Sequence, residues 1–342
     1  MLPVPAPAIW HSLRLLGVAA AFPAALLAQS ATSLPVGAMR VTLNAGSPTA
    51  PALTAFAVPL SSPASNDGVA AGRVTAFTAD TFTVSGAGWL PGALASTQAP
   101  FALRITRGTA AGLSFRVVSN TVDTLTITGG DLTAIGMVVG DRFELLPLDT
   151  LGTFFPANSI VGGTSPETAD IIYVGAHTQD GYFFNTTAKQ WRRAVGRSSE
   201  DCSNVALLPG AVVQIAHTSA AVTLTFVGRV PTTPFRADVV RSGNTFTHTG
   251  FPIDVTVKNL ALQGLVPGWV SGASAGSADL LSLRVGGRWL SVYFNGTNWI
   301  DAANGATIAD QTVIPAGTAV VIRRAGSASG FTSMNRELPY PL

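Results

Sequence analysis

Cysteine is almost absent from this sequence. Cys202 is the one cysteine in 342 residues, so no disulfide can form within a single chain. Small exported domains often depend on disulfides because their cores are small. Here 47% of the residues are hydrophobic, which is enough for a sizeable core. We therefore expect core packing and sheet hydrogen bonds to hold the fold, and the sequence assigns no role to Cys202.

Charged residues are scarce as well. They make up 11% of the chain, whereas about a quarter is usual in soluble domains. Long surface helices need Glu, Lys and Arg on their solvent-exposed face, so this composition argues against such helices. The 20 basic residues nearly balance the 18 acidic ones, and the densest basic cluster is Arg192, Arg193 and Arg197. We expect no nucleic-acid partner, because a nucleic-acid-binding protein gathers its basic residues into a stripe.

Residues that commonly carry catalysis or bind metals are few. Apart from His11 the histidines are His177, His217 and His248; no HExxH or Cys/His spacing surrounds them, and we expect all three at the surface. No Gly-x-Ser-x-Gly elbow, Walker loop or dinucleotide motif occurs in the setting it requires. Paired carboxylates that meet only in the fold stay open as a hydrolase centre. We expect a protein that is not an enzyme, with no catalytic residues, metal site or cofactor.

Long apolar runs are confined to the N-terminus. The run Leu15–Leu27 follows Arg14 and precedes small residues that begin at Ala28, a pattern typical of export signals. We assign residues 1–28 to a signal peptide. No other stretch approaches the roughly 20 apolar residues of a membrane-spanning helix. We expect a secreted protein, extracellular or at the cell surface, with the periplasm as the alternative.

Short β-branched and aromatic runs dominate the rest of the chain. Segments such as Val74–Val84 and Phe101–Thr106 alternate in polarity and are bounded by Gly, Asn, Asp or Pro. The pattern predicts an all-β fold. Between residues 66 and 148 the spacing of these runs predicts an inserted small antiparallel sheet or barrel.

The middle of the chain resembles its C-terminal third. The matching pairs are residues 169–172 with 278–281, 182–185 with 292–295, and Trp191 with Trp299. The offsets are 109, 110 and 108, and such constancy indicates a duplicated unit of roughly 105 to 110 residues. Two copies are too few for a solenoid, so duplicated antiparallel β-sandwich-like units are expected.

These signals predict five segments. They are the signal peptide at 1–28, N-terminal strands of the first unit at 29–65, the insertion at 66–148, the remainder of the first unit at 149–230, and the second unit with the C-terminal tail at 231–342.

Paired residues of the repeat are the candidates for ligand binding. They are Trp191, Trp299, Tyr182, Tyr293, Asn185, Asn295, Asp170 and Asp279. Aromatic rings with neighbouring amides or carboxylates can stack on sugars and hydrogen-bond to them. The alternatives are structural: the Asp side chains accept backbone hydrogen bonds at strand entries, the Asn residues form turns, and the Trp rings pack in the core.

The order of the motifs resembles a known family. Ala-Asp at 278–279, Tyr-Phe-Asn at 293–295, Pro-x-Gly at 315–317 and Val-Val-Ile-Arg-Arg at 320–324 are similar to an uncharacterised family of paralogous exported proteins from environmental bacteria. The resemblance covers about residues 34–326. It implies export and a β-rich fold, and it supplies no catalytic residues.

Three classes of function remain open. A structural or adhesive protein of the cell surface or extracellular matrix, able to assemble with itself, fits the export signal, the Thr- and Gly-rich strands and the low charge. A module that binds extracellular polysaccharide is the alternative, and a secreted hydrolase fits less well. An exposed line of aromatic residues would favour glycan binding, whereas an unpaired strand edge would favour self-assembly.

Overall fold

The strands follow the alternating runs of the sequence. The computed structural model describes residues 35–61, 71–155, 158–175, 181–196, 199–285 and 288–341. Buried and exposed side chains alternate from Ala38 onward in the first strand, as expected for a sheet with one solvent-exposed face. The all-β prediction is confirmed. The expected signal peptide, residues 1–28, lies outside the described residues, as does His177.

Three groups of strands make up the described chain. The first β unit begins with β1 (Val36–Leu43) and β2 (Ala52–Ala57). The inserted sheet follows with β3 (Ala71–Arg73), β4 (Ala76–Phe77), β5 (Thr81–Thr83), β6 (Phe101–Arg107), β7 (Ser114–Asn120), β8 (Thr124–Thr128) and β9 (Arg142–Pro147). The first β unit resumes with β10 (Asp149–Thr150), the short helix α1 (Leu151–Phe154), a 3-10 turn at Pro166–Thr168, β11 (Ile171–Val174), β12 (Gly181–Asn185), β13 (Gln190–Arg193), β14 (Ala206–Leu207), β15 (Val212–His217) and β16 (Val222–Arg229).

The second β unit contains the remaining elements. They are β17 (Phe235–Val240), β18 (Gly243–His248), β19 (Val255–Thr256), α2 (Val257–Leu260), α3 (Leu262–Leu265), β20 (Leu280–Val285), β21 (Arg288–Phe294), β22 (Trp299–Asp301), β23 (Val313–Ile314), β24 (Ala319–Arg324) and β25 (Phe331–Arg336).

The first β unit is a two-layer, sandwich-like arrangement. Five antiparallel strands form a sheet in the order β13-β12-β11-β15-β2, and β1 pairs with β16 in a separate two-stranded ribbon. Both layers bury their apolar side chains in one core, which includes Leu43 and Leu224 from the ribbon and Ile172 and Ile215 from the sheet. The core therefore lies between the sheet and the ribbon.

The second β unit has the same arrangement. Its sheet, in the order β22-β21-β20-β24-β18, matches the first sheet strand for strand, and β17 pairs with β25 in a ribbon like that of β1 and β16. The short pair β10–β14 likewise has a counterpart in β19–β23. A separate core includes Val239 and Met334 from the ribbon and Leu281 and Ile322 from the sheet.

The inserted sheet has its own core. Its order is β3-β9-β6-β7-β8-β5-β4, and Phe82, Leu103 and Phe143 are fully buried within it. The edge strands β3 and β4 are separated in the sequence by Val74 and Thr75 alone. The sheet must therefore curl, because its two edge strands lie close together. β3 and β4 do not pair with each other, and the insertion is therefore an open, curled sheet.

The two β units contact each other reciprocally. A Cβ atom on Gly210 would lie 2.5 Å from Nε2 of His248, and one on Gly317 would lie 2.7 Å from the carbonyl oxygen of Ala57. Gly210 and Gly317 hold matching places before β15 and β24, while Ala57 and His248 hold matching places on β2 and β18. Reciprocal contacts between matching residues are the signature of a two-fold relation.

Candidate functional site

The aromatic candidates are buried. Trp191 and Trp299 are 5% and 1% exposed, and they occupy the cores of the first and second β units. Trp191 packs against Phe155 and Phe184, and Trp299 packs against two aromatic rings in the second core. Neither ring presents a face to solvent on which a sugar could stack.

The two tyrosine candidates lie on opposite sides of their sheets. Tyr182 belongs to the core between sheet and ribbon, and the guanidinium of Arg193 lies 5.5 Å from its ring centre. Tyr293 belongs to a small separate cluster with Leu280 and Ile300. When the two sheets are aligned strand for strand, Val292, not Tyr293, takes the position equivalent to Tyr182, because Tyr182 pairs with Ile172 on β11 as Val292 pairs with Leu281 on β20. These side chains do not form one surface.

Asp170 organises a buried polar cluster in the first β unit. Its side chain is inaccessible to solvent and accepts hydrogen bonds from the backbone N–H of Val161 (3.0 Å) and from both the N–H and the hydroxyl of Thr218 (2.8 and 2.9 Å). Nδ1 of His217 lies 2.9 Å from Oδ2. The carboxylate thereby joins the loop before β11 to the end of β15.

Asp279 does the same in the second β unit. It accepts hydrogen bonds from the backbone N–H groups of Val270 (2.8 Å) and Ala325 (2.6 Å), and Nε of Arg324 lies 2.8 Å from Oδ2. Arg324 occupies the place that His217 has in the first β unit. Both candidate carboxylates are therefore satisfied within the fold, and neither faces a cavity.

The asparagine candidates form turns. Oδ1 of Asn185 accepts from the N–H groups of Thr187 and Ala188, and Oδ1 of Asn295 accepts from those of Thr297 and Asn298. These are Asx turns of the kind that close hairpins. Asn295 is the one candidate of the eight that is exposed.

The expectation that His217 and His248 lie at the surface is wrong. They are 1% and 4% exposed. Both end a strand whose last side chain points inward, and the alternation of polarity cannot distinguish this from an outward-pointing polar end. His217 is held by Asp170 and by the carbonyl of Ala220, while His248 reaches the contact between the β units.

The free thiol is also part of a core. Cys202 is 3% exposed, and burial raises its pKa. A thiol of this kind is a weak nucleophile, because the thiolate is the reactive form.

A cleft lies where the three groups of strands meet. Its volume is about 310 Å³, which is at the lower end of the usual range for small-molecule sites. The inserted sheet contributes Arg104 and Ser114, the first β unit contributes Pro209, and the second contributes Arg236 and His248. Sequence reasoning missed this site, because its walls come from three separate groups of strands that meet only in the folded chain.

The outer edges of both five-stranded sheets are covered in the same way. On β13, the N–H of Trp191 donates to Oγ of Ser203 (3.2 Å) and its carbonyl accepts from Cys202 (2.7 Å). On β22, the N–H of Trp299 donates to Oδ1 of Asp310 (2.8 Å) and its carbonyl accepts from Ala309 (2.8 Å). A covered edge cannot pair with another chain.

The ribbon edge on β1 differs. Arg229 on β16 exchanges two backbone hydrogen bonds with Ser61, so its backbone faces away from β1. Because inward and outward pairs alternate in an antiparallel ladder, the backbone groups of Ala38, Arg40 and Thr42 point away from β16. In the part of the chain that the structure describes, no backbone group pairs with them.

The matching edge on β17 is partly occupied. The inserted sheet lies against it, since a Cβ atom on Gly112 would be 3.0 Å from the backbone N of Arg236. The N–H of Val240 donates to Oγ1 of Thr245 (3.0 Å). The edge of β1 is thus the more accessible of the two.

The chain matches no known protein family, no curated protein and no solved structure. Among the described residues, no helix is long and apolar enough to cross a membrane. The same residues contain no group of three or more His, Cys, Asp and Glu side chains that could hold a metal ion.

Proposed function

We propose that this protein is an exported, non-enzymatic structural or adhesive protein of the cell surface or extracellular matrix, and that copies of it associate through the edge of β1. The partner is a second copy of the same chain. Pairing of two such edges would extend each ribbon by backbone hydrogen bonds and would need no special side chains.

The contrast between edges is the observation that carries the proposal. The fold covers the outer edges of both five-stranded sheets, at Trp191 and Trp299, but leaves eight-residue β1 without a partner on one side among the described residues. Natural proteins usually protect long exposed edges because such edges template association. The fold protects two sheet edges but leaves the edge of β1 open, and this contrast supports a role for that edge in association.

The exposed face of the ribbon supports the same proposal. Val36 and Val227 are 63% and 56% exposed, and Thr42 and Thr223 hydrogen-bond across the ribbon (3.1 Å). β-branched side chains on a regular pleated face favour strand pairing. Arg40 is the one charge on the β1 side of this face.

Duplication of one β unit is part of the proposal. The matching strand orders, the matching Asp170 and Asp279 clusters and the reciprocal glycine contacts support an origin from two copies that first met about a two-fold axis. In this account each chain contains two β units that descend from one ancestral unit. Further chains then join through the edge of β1.

A proline substitution tests the proposed edge. In Ala38→Pro the outward N–H of Ala38 is lost, while the ladder to β16 does not use that N–H. Two such bonds disappear from a symmetric contact, so we expect association of the chain from residue 29 onward to weaken about tenfold, as measured by concentration-dependent light scattering.

Ala38→Thr is the matched control, since it keeps the N–H and favours strands. It should associate as tightly as the unaltered chain. A monomer at every concentration for the unaltered chain, or equal association of the Pro and Thr variants, would contradict the proposal.

A further inference from the structure

The cleft between the three groups of strands contains a hydrogen-bond donor without a protein partner. The N–H of Gly250 donates to Nδ1 of His248 (3.0 Å), so in the neutral ring the proton resides on Nε2. Burial lowers the pKa of His248 to about 4, with a smaller contribution from Arg336, and the ring is neutral near pH 7. Among the described residues Nε2 has no hydrogen-bond acceptor, although the residue is only 4% exposed and lines the cleft.

Two guanidinium groups line the same cleft. Arg236 is fixed by donation to the carbonyl of Thr109 and to Oγ of Ser333 (3.0 Å). The side chain of Arg104 is 12% exposed; its Nε donates to Oγ of Ser114 (3.4 Å), and its Nη1 lies 3.6 Å from a carboxylate oxygen of Glu144. Burial lowers the pKa of Arg104, which means that its positive charge is poorly solvated where it lies.

The charged side chains of these walls are two arginines and one aspartate. Asp238 lines the cleft, but it is exposed and accepts from Ser333 (3.2 Å). An incoming group that supplies acceptor oxygens and negative charge would therefore find more partners than a donor or a cation would.

Much of the rest of the wall is apolar. Phe235, Phe246, Pro209 and Pro234 line the cleft together with Leu113. Sites for small molecules typically combine such an apolar lining with a few fixed polar groups. The cleft therefore suits a molecule with an apolar body at one end and an anionic group at the other.

We propose that this cleft binds a small organic carboxylate with an apolar body, whose carboxylate faces His248, Arg236 and Arg104. The site is independent of the edge of β1, so either proposal can fail alone. The ligand joins the inserted sheet to both β units, because each group of strands contributes to the walls.

Phenylbutyrate is a suitable probe, and phenylbutanol is the same body without the carboxylate. Isothermal titration of the full chain should show saturable binding of phenylbutyrate and at least about tenfold weaker binding of the alcohol. Arg236→Gln should weaken phenylbutyrate binding by a similar factor. Arg288→Gln, at an exposed cation outside the cleft, is the matched control and should bind as the unaltered chain does.

A second variant keeps the test valid if Arg236→Gln disturbs folding. His248→Phe retains a planar ring but removes the Nε2–H donor, and it should also weaken phenylbutyrate binding severalfold. The proposal is overturned if phenylbutyrate does not bind saturably, if phenylbutanol binds equally well, or if well-folded His248→Phe and Arg236→Gln both bind with unchanged affinity.

Discussion

Asp170 and Asp279 show how one buried carboxylate can be satisfied in two ways. Each accepts backbone N–H groups from the loop before its strand and from the residue after a neighbouring strand, but the side-chain partner is an imidazole in one β unit and a guanidinium in the other. A buried carboxylate is tolerated only when its oxygens are bonded in this manner. The residue acts as a structural tie between loop and strand.

His248 makes the stability of the fold depend on pH. Its pKa falls from 6.5 to about 4 on folding, so the unfolded chain binds a proton in this range that the folded chain does not. Protonation of this residue does not reduce the free energy of unfolding above pH 6.5, and it reduces that free energy progressively as the pH falls towards 4. We expect a loss of about 3 kcal/mol of unfolding free energy from this residue, measured by urea unfolding across the pH range.

His248→Gln removes the titrating group while keeping a polar side chain. The pH dependence of the variant should be flatter than that of the unaltered chain by about the same amount. If both proteins lose stability in parallel between pH 6.5 and 4, the acid sensitivity comes from other groups.

Individual residues were predictable where a local pattern determined their role. An Asp at a strand entry and an Asn in a hairpin loop bond to nearby backbone, so the sequence alone suggested the structural roles seen for Asp170 and Asn185. The burial of His217 and His248 depends on distant segments that pack over strand ends, and no local signal reports such packing.

At the scale of elements, a side chain can complete the edge of a sheet. Asp310 is 5% exposed, and its Oδ1 occupies the place of a backbone acceptor for the N–H of Trp299. Its other oxygen lies 3.2 Å from Nζ of Lys258, which is largely exposed, so that ion pair contributes little.

Asp310→Ala should destabilise the protein by about 1–3 kcal/mol, because it leaves the buried N–H of Trp299 without an acceptor. Asp310→Asn keeps an acceptor oxygen in place and should lower the free energy of unfolding by clearly less. Urea unfolding of the two variants measures the difference, and equal costs would show that the edge bond is not the important contribution of Asp310.

The strands themselves were largely predictable, and their edges were not. Alternation of polarity located β6, β7 and β8 because one face of each is buried in the inserted core. Which edge is covered depends on loops that return from elsewhere, such as residues 307–310 beside β22. The curled form of the inserted sheet likewise depends on long-range pairing of β3 and β4 with different strands.

At the scale of the whole molecule, two glycines determine how closely the β units approach. Gly317 has φ +72°, and a Cβ atom there would also collide with Met39 of the first β unit. Gly317→Ala should cost about 2–4 kcal/mol, combining backbone strain with overpacking between the units.

Gly86→Ala is the matched control. Gly86 has φ +76°, but no atom lies within 4 Å of the Cβ position, so only backbone strain of about 1–2 kcal/mol is expected. Thermal or urea unfolding compares the two. Equal costs would mean that the close approach at Gly317 adds nothing to the stability of the pair.

The offsets in the sequence could suggest a repeat, because matched motifs recur along the chain. They could not suggest that Gly210 meets His248 or that three groups of strands enclose a cleft, since both features arise from how complete units pack. Burial of Trp191 and Trp299 is a consequence of the same packing, and it removes them as a sugar-stacking surface.

Hydrogen exchange at the amides of β1 tests the proposed assembly most directly. In β1 the N–H groups of Ala38, Arg40 and Thr42 point away from β16, whereas those of Met39 and Val41 face it. We predict that the outward amides exchange rapidly in dilute protein and become protected as concentration rises, while the inward amides are protected throughout. Outward amides that exchange equally fast at every concentration would contradict assembly through this edge.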